Sequence, residues 1–128
     1  MTNTEHFLCS SRVLWDLGNY RDSISRLYYA VLHCICDSLL IIYGLDIKPS
    51  HRYAHKMFTT YDRSVNLFIL QEWQRIRENV DYERRADLQK FSKDELLPYY
   101  LVMTSFVLGQ QSKQIQKQQN KIDKMDLF

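Results

Sequence analysis

The stretch "YRDSISRLYYAVLHCICDSLLIIYG", residues 20–44, carries the longest apolar pattern in the sequence. At helical spacing its apolar residues cover most of the circumference of a helix. They are Leu27, Tyr28, Val31, Leu32, Ile35, Leu39 and Ile42. A helix that is apolar on most sides has to be packed by neighbours on several sides, so we predict a central helix from Tyr20 to Tyr43. Gly44 and the turn "DIKPS" end it.

The composition favours long helices over strands. The 128 residues include only 3 Gly and 2 Pro, whereas an all-β chain needs turn residues every ten positions or so. With 45% hydrophobic and 25% charged residues the chain has the composition of a single globular domain. The small number of Gly and Pro residues therefore disfavours an all-β fold.

Four further helices are predicted around the central one. The first occupies residues 3–17 and stops at Gly18, and a short helix carrying His51, His55 and Phe58 follows a candidate N-cap at Ser50. The next covers residues 65–85, and the last begins at "SKDE", residues 92–95, whose Ser and Glu have capping-box spacing. The expected fold is therefore all-α, an antiparallel up-and-down bundle of four to five helices.

The final helix shows two irregular features. Pro98 is expected to kink the helix or to shift its start. After Gly109 the sequence becomes "QQSKQIQKQQNKIDKMDLF", which is rich in Gln and Lys and nearly free of apolar residues. We therefore divide the chain into a helical bundle domain, residues 1–109, and a polar C-terminal extension, residues 110–128, that frays or projects from the body.

Net charge, cysteine usage and the lack of targeting segments indicate what the protein binds and in which compartment it works. A formal net charge of +2 is too small for a surface that coats nucleic acid, so any RNA contact has to be local. The N-terminal residues lack the basic start and apolar stretch of a signal peptide, and the run "LLIIYGL" is too short to span a membrane. The three cysteines have neither zinc-like nor disulfide spacing. We expect a cytoplasmic protein without membrane contact.

A narrow polar stripe follows the central helix. Asp22, Arg26, Ala30, His33 and Asp37 share one face. At a spacing of four, Asp22 can pair with Arg26, and Asp37 can hold an imidazole nitrogen of His33. A cation beside a fixed histidine is what cleavage of RNA without a metal requires, because a base removes the ribose 2′-hydroxyl proton and the cation stabilises the phosphoryl charge. The ordinary interpretation is a solvated face of ion pairs without a substrate.

The sequence resembles the HEPN superfamily (higher eukaryotes and prokaryotes nucleotide-binding), in its small stand-alone prokaryotic branch. The resemblance covers about residues 15–108, through "GNYRDSISRLYYAVLHCICDSLLIIYGL", "PSHRYAHKMF" and "RIRENVDYER". It implies an up-and-down bundle and a homodimer, often encoded beside a nucleotidyltransferase. Many members are metal-independent endoribonucleases of toxin–antitoxin or antiviral systems, in which an arginine is followed after four to six residues by a histidine at the dimer cleft.

In the position where the family motif usually lies, this chain has "RENVDY", with Arg77 followed by Tyr82 in place of the histidine. Tyrosine has a pKa of about 10 and is a poor base at neutral pH. Arg26 and His33 supply an arginine-six-histidine spacing on the central helix instead, and either take over the role or imitate it. Arg77 and Asp81 are also spaced for an intrahelical ion pair.

The resulting candidate residues form two sets. The catalytic candidates are Arg26, His33, Arg77 and Tyr82, and the candidates for binding RNA or a nucleotide are Asp22, Asp37, Asp81 and His51. We expect no cofactor and no metal site, since His51 and His55 have the spacing of helix-borne ligands but lack the glutamate that would complete a zincin pattern. The tyrosines of the helices are assigned to packing.

Three functions remain open on the sequence. The first is a dimeric HEPN-type ribonuclease, with an antitoxin or nucleotidyltransferase as protein partner. The second is a non-catalytic dimeric module that binds a nucleotide or a nucleotidyltransferase, for which Tyr82 in place of histidine is the best evidence. The third is a purely structural helical subunit, in which the polar stripe only faces water.

Overall fold

Five α-helices make up the computed structural model, which describes residues 1–82 and 91–125 of the chain. They are α1 (Asn3–Asp16), α2 (Tyr20–Tyr43), α3 (His51–Tyr61), α4 (Leu67–Tyr82) and α5 (Lys93–Met125). Within those two ranges the chain contains no β-strand. The predicted all-α bundle is confirmed. The end predicted for the fourth helix, residues 83–85, lies outside the described residues.

Helix α2 is the core of the bundle. Ile24, Leu27, Val31, Ile35 and Leu39 are completely buried on it, and each of the other four helices packs against it. By length and composition alone α2 could also cross a membrane. However, 61% of its most apolar 18-residue stretch is buried inside the bundle. Such burial is what the core helix of a globular protein shows, so the apolar character of α2 has a sufficient explanation in packing.

The helix directions follow from contacts between helices. The start of α1 lies beside the end of α2, where Thr4 bonds Asp37, and the end of α4 lies beside the start of α2, where Arg21 bonds the Val80 carbonyl. Both α1 and α4 are therefore antiparallel to α2. Helix α3 is the exception to up-and-down alternation, because His51 meets Tyr28 and Asp62 meets Tyr43, so α3 runs parallel to α2.

An extended connection makes this exception possible. Seven residues separate α2 from α3, and at about 3.3 Å per extended residue they span roughly 23 Å. The same length corresponds to about fifteen helical residues at 1.5 Å each, the stretch from Tyr43 back to Tyr28. Residues 44–50 thus return the chain alongside the second half of α2. Gly44, with a φ of 72°, starts the return in the left-handed conformation that favours glycine.

The last helix begins before Pro98 and continues past Gly109. Lys93 is its first residue, and the amide of Glu95 donates to the Ser92 hydroxyl, which is one half of the predicted capping box. The expected domain boundary after Gly109 falls inside this continuous helix. Gln110 and Gln114 are buried, whereas every residue from 115 to 125 is exposed. Ile115 and Gln118 still line a cavity together with residues of α1 and α2, so the segment that projects beyond the bundle begins after Gln118.

Candidate functional site

A cavity of about 440 Å³ opens between α1, α2 and α4 at the start of the polar stripe. We refer to it as the Arg26 cavity, and its lining residues are Leu14, Asp22, Ser25, Arg26 and Asp81. Three of them come from one face of α2, where residues three and four positions apart are neighbours. Leu14 of α1 and Asp81 of α4 supply the two sides. The cavity thus joins two of the predicted stripe residues to one predicted α4 residue.

Arg26 is exposed and makes no hydrogen bond or ion pair with any described part of the chain. The expected pairing with Asp22 is not formed, which corrects the prediction from spacing. The physical reason is that both side chains are exposed, where an (i, i+4) ion pair contributes only a few tenths of a kcal/mol and does not fix two long side chains. The guanidinium of Arg26 is available to an anion that enters the cavity.

Asp81 is held in place from two helices. The hydroxyl of Ser25 donates to its Oδ2 at 3.2 Å, and Arg77 donates to the same oxygen at 3.3 Å. The intrahelical Arg77–Asp81 pair predicted from spacing is present. Because Arg77 neutralises the Asp81 carboxylate, that carboxylate opposes an incoming anion less than an unpaired one would.

The side chain of Arg77 is buried next to Asp81, one of the residues that line the Arg26 cavity. Only 7% of it is exposed, and its guanidinium lies 5.6 Å from the ring centres of both Tyr28 and Tyr29. Burial opposes the charged form, but Tyr29, Asp81 and the neighbouring Glu78 together raise the pKa of Arg77. A charged guanidinium between two rings and a carboxylate is a cation–π and ion-pair arrangement that fixes the position of Tyr29.

Tyr28 connects α2 to two histidines of α3. Its phenol oxygen lies 2.8 Å from Nδ1 of His51 and 3.1 Å from Nε2 of His55, and the His51 ring stacks on the Tyr28 ring at 5.5 Å. Burial lowers the pKa of His51, and the Arg77 cation lowers it further. Burial, followed by repulsion from His51 once His51 is protonated at low pH, lowers the pKa of His55 to about 4. Both imidazoles are therefore neutral at pH 7, and His51 is the one that is partly exposed.

The far end of the polar stripe is covered by α1. The ring of Phe7 stacks on His33 with centres 5.3 Å apart, and the Thr4 hydroxyl donates to Asp37 at 2.8 Å. The predicted hydrogen bond between His33 and Asp37 is not formed, because α1 supplies Asp37 with a different partner. Burial lowers the pKa of His33, and the charge of Asp37 partly opposes that shift. His33 is half-buried and neutral.

The structure therefore brings together some predicted residues and separates others. Asp22, Arg26 and Asp81 line one cavity. His51 does not line it; its ring lies 6.3 Å from the ring of Tyr29, which Arg77 contacts in turn. His33 is two helical turns from Arg26, a rise of about 10 Å. Asp37 lies one turn further and is occupied by Thr4. Tyr82 is the last residue of α4, and its side chain lies outside the described part of the chain.

Sequence reasoning missed three contributors to the site, which are Ser25, Tyr28 and Tyr29. A signal for two of them was present in the spacing, since Ser25 and Tyr29 lie one turn from Asp22 and from Arg26 on the same face of α2. Tyr28 could not be recognised from spacing because its partners lie on α3. In the described residues no group of three His, Cys, Asp or Glu side chains is placed to hold a metal ion.

Comparison of the chain with protein-family models, with curated proteins and with solved structures found no match. The HEPN resemblance and the roles assigned to the site residues therefore stay predictions. What the structure contributes is the geometry around the Arg26 cavity.

Proposed function

We propose that this chain binds a phosphate of RNA or of a nucleotide in the Arg26 cavity, as a helical module of the HEPN kind. One observation carries the proposal: Arg26 is an exposed guanidinium without a partner in the described chain, at the mouth of a cavity whose inner carboxylate, Asp81, is already paired with Arg77. A guanidinium in that position can donate two hydrogen bonds to a phosphate.

The size of the cavity and its neighbours suit a nucleotide. A volume of about 440 Å³ lies within the range of small-ligand pockets. The ring of Tyr29 is half-buried one turn from Arg26 and is contacted by Phe7 and Arg77. A base can stack on the part of the ring that these neighbours leave exposed. Ser25 adds a hydroxyl at the wall. Asp22 also lines the cavity.

Binding of labelled single-stranded RNA, followed by fluorescence anisotropy in the presence of a chelator, tests the proposal. Arg26→Gln should weaken binding about tenfold. It should also reduce the slope of log affinity against log salt concentration by about one, the value of one phosphate contact. The matched control is Arg63→Gln, which removes an exposed arginine outside the cavity and should change affinity little. The same measurement is made with a mononucleotide. If wild type and Arg26→Gln bind both ligands with equal affinity, the proposal is wrong.

A second candidate function is cleavage of the bound RNA without a metal. It is favoured by two partly exposed neutral imidazoles near Tyr29, those of His33 and His51, because only a neutral imidazole can accept a proton. In this reaction the ribose 2′-oxygen attacks phosphorus and its proton passes to an imidazole. The bond to the 5′-oxygen breaks, that oxygen takes a proton from water, and a 2′,3′-cyclic phosphate remains.

Incubation of purified protein with RNA in chelator separates the two functions. A ribonuclease should give cyclic-phosphate ends, and His33→Asn or His51→Asn should abolish them while leaving RNA affinity within a few-fold of wild type. Binding without cleavage supports the non-catalytic module, in which the chain docks a nucleotide or a nucleotidyltransferase partner. A homodimer, an antitoxin partner and a cytoplasmic location belong to the same proposal and rest on the family resemblance.

A further inference from the structure

A second cavity, of about 410 Å³, lies between α1, α2 and α5. We refer to it as the Asp37 cavity, and it shares no lining residue with the Arg26 cavity. Its volume lies within the range of small-ligand pockets. Three kinds of side chain in its walls decide what it can bind: the carboxylates of Glu5 and Asp37, the amide of Gln114, and the aliphatic side chains of Leu8, Ile41 and Ile115.

Asp37 is half-buried and has no cationic partner among the described residues. The Thr4 hydroxyl donates to its Oδ2 at 2.8 Å, but its Oδ1 accepts no hydrogen bond from the described chain. His33, one turn away, is neutral at pH 7 because burial lowers its pKa. A partly buried carboxylate has lost hydration that a cation can replace. The Asp37 carboxylate therefore favours a positively charged ligand.

Gln114 offers the cavity a second acceptor. Only 8% of this residue is exposed, and its Nε2 donates to the Ser38 hydroxyl at 2.9 Å and to the Cys34 carbonyl at 3.3 Å. Because the Ser38 hydroxyl gives its own hydrogen to Gln110, it can only accept from Gln114, which fixes the orientation of the amide. No described residue donates to the Oε1 of Gln114. A buried acceptor without a donor favours a ligand that donates hydrogen bonds.

The remaining walls favour an organic cation over a metal ion. Glu5 places a second carboxylate at the exposed side of the cavity, and within residues 1–82 and 91–125 neither a lysine nor an arginine lines it. A metal ion such as Mg²⁺ or Ca²⁺ needs oxygen ligands on all sides, whereas part of this cavity is aliphatic. Carboxylates separated by aliphatic walls instead match ammonium groups joined by methylenes.

We propose that the Asp37 cavity binds a linear aliphatic diamine. One ammonium group donates to Asp37 and to the Oε1 of Gln114, which suits its three hydrogen-bond donors. The second ammonium group lies beside Glu5 at the exposed side. The methylene chain between them packs on the aliphatic walls, where its removal from water adds to the affinity.

This inference does not rest on the proposed function. The Arg26 cavity presents a cation to an anionic ligand, whereas the Asp37 cavity presents carboxylates to a cationic one. Failure of RNA binding would leave the diamine proposal standing. Failure of diamine binding would leave the Arg26 cavity unaffected.

Isothermal titration calorimetry with 1,4-diaminobutane measures the expected binding of one molecule per chain. Asp37→Asn should weaken binding at least about tenfold, because it removes the charge but keeps an oxygen for Thr4. The matched control, Asp46→Asn, makes the same change at an exposed carboxylate outside the cavity and should alter affinity less than about twofold. Absence of binding at millimolar diamine, or equal affinities of wild type and Asp37→Asn, would overturn the proposal.

A second pair of variants covers the case in which Asp37→Asn does not fold. Gln111→Lys leaves Asp37 and its hydrogen bond in place but adds an ammonium group to the lining, so it should abolish diamine binding. Gln116→Lys adds the same charge about 140° away on an exposed face of α5 and should bind as wild type does. Circular dichroism checks that both variants stay folded. Diamine binding by folded Gln111→Lys with wild-type affinity would contradict the proposal.

Alkylation of Cys9 locates the bound diamine. Cys9 lines the cavity and is exposed, whereas Cys34 and Cys36 are buried. Saturating 1,4-diaminobutane should slow the reaction of Cys9 with iodoacetamide several-fold, and Asp37→Asn should lose this protection. An unchanged rate at saturation would place the diamine elsewhere on the protein and refute the assignment.

Two further ligands test the chemistry of the site. Butylamine carries one ammonium group and should bind several-fold more weakly than the diamine, because it has no group for Glu5. MgCl₂ alone should neither bind at the concentration at which the diamine saturates nor displace the diamine. Equal affinities for butylamine and the diamine, or displacement of the diamine by Mg²⁺, would show that the cavity is not a diamine site.

Discussion

The phenol oxygen of Tyr28 lies 2.8 Å from Nδ1 of His51, and this contact joins the middle of α2 to the first residue of α3. The same oxygen reaches His55, one turn further along α3. A phenol has one hydrogen to donate, so one imidazole accepts from Tyr28 and the other donates to it. These hydrogen bonds between neutral side chains therefore anchor α3 on α2.

Tyr28→Phe should lower the free energy of unfolding by about 1–3 kcal/mol, because it leaves two imidazole nitrogens without their partner while changing volume little. Urea denaturation followed by circular dichroism measures the change. Tyr53→Phe, on an exposed residue of the same α3 segment, is the matched control and should alter stability by less than about 0.5 kcal/mol. Equal effects of the two substitutions would contradict the role of the Tyr28 hydroxyl.

Acidification should destabilise the protein through His55. Its pKa is lowered from the ordinary 6.5 to about 4 in the folded state, so between these values the unfolded chain binds more protons. Stability is therefore lost as the pH falls from about 6.5 towards 4, by about 3 kcal/mol for this group. In His55→Gln the loss between pH 7 and pH 4 should be smaller by that amount. His6→Asn, which removes an exposed histidine, should retain the wild-type pH dependence.

Arg77 and Arg26 should respond differently to the same substitution. Arg77→Gln removes a buried cation from Asp81 and from two aromatic rings, and we expect a loss of about 2–4 kcal/mol in stability. Arg26→Gln should leave the free energy of unfolding within about 0.5 kcal/mol of wild type, since its side chain is exposed and unpaired in the described chain. Chemical denaturation of both variants is the measurement. A large loss in Arg26→Gln would assign it a structural role.

The buried glutamines of α5 should contribute to stability although they follow Gly109. Gln114 donates to the Ser38 hydroxyl at 2.9 Å and to the Cys34 carbonyl at 3.3 Å. Gln114→Ala should cost about 1–3 kcal/mol in thermal or urea unfolding, because it leaves a cavity and removes the partner of a buried hydroxyl. Gln118→Ala, one turn further and exposed, should change stability little. Equal losses of stability in the two variants would contradict the prediction, because they would show that Gln118 contributes to the bundle as much as Gln114 does.

Several elements followed from local sequence because their causes are local. The apolar circumference of residues 20–43 is a property of the helix itself, and Gly18 and Gly44 both adopt the positive φ that ends a helix. The Arg77–Asp81 pair also lies within one turn. Gln110 and Gln114 were assigned to a polar extension because composition shows polarity but does not show that Ser38, Ser64 and Cys34 lie opposite to satisfy it.

An all-α chain built around α2, with a stripe of polar residues on that helix, could be predicted from the residues alone, because helical periodicity places side chains on faces without reference to the rest of the fold. Which part of the stripe borders a cavity depends on how the helices pack. Phe7 of α1 packs on one side of His33 and Thr4 of α1 occupies Asp37, whereas α4 brings Asp81 to the cavity that Arg26 lines. These contacts depend on how separate helices are oriented in space, and no spacing within one helix specifies that.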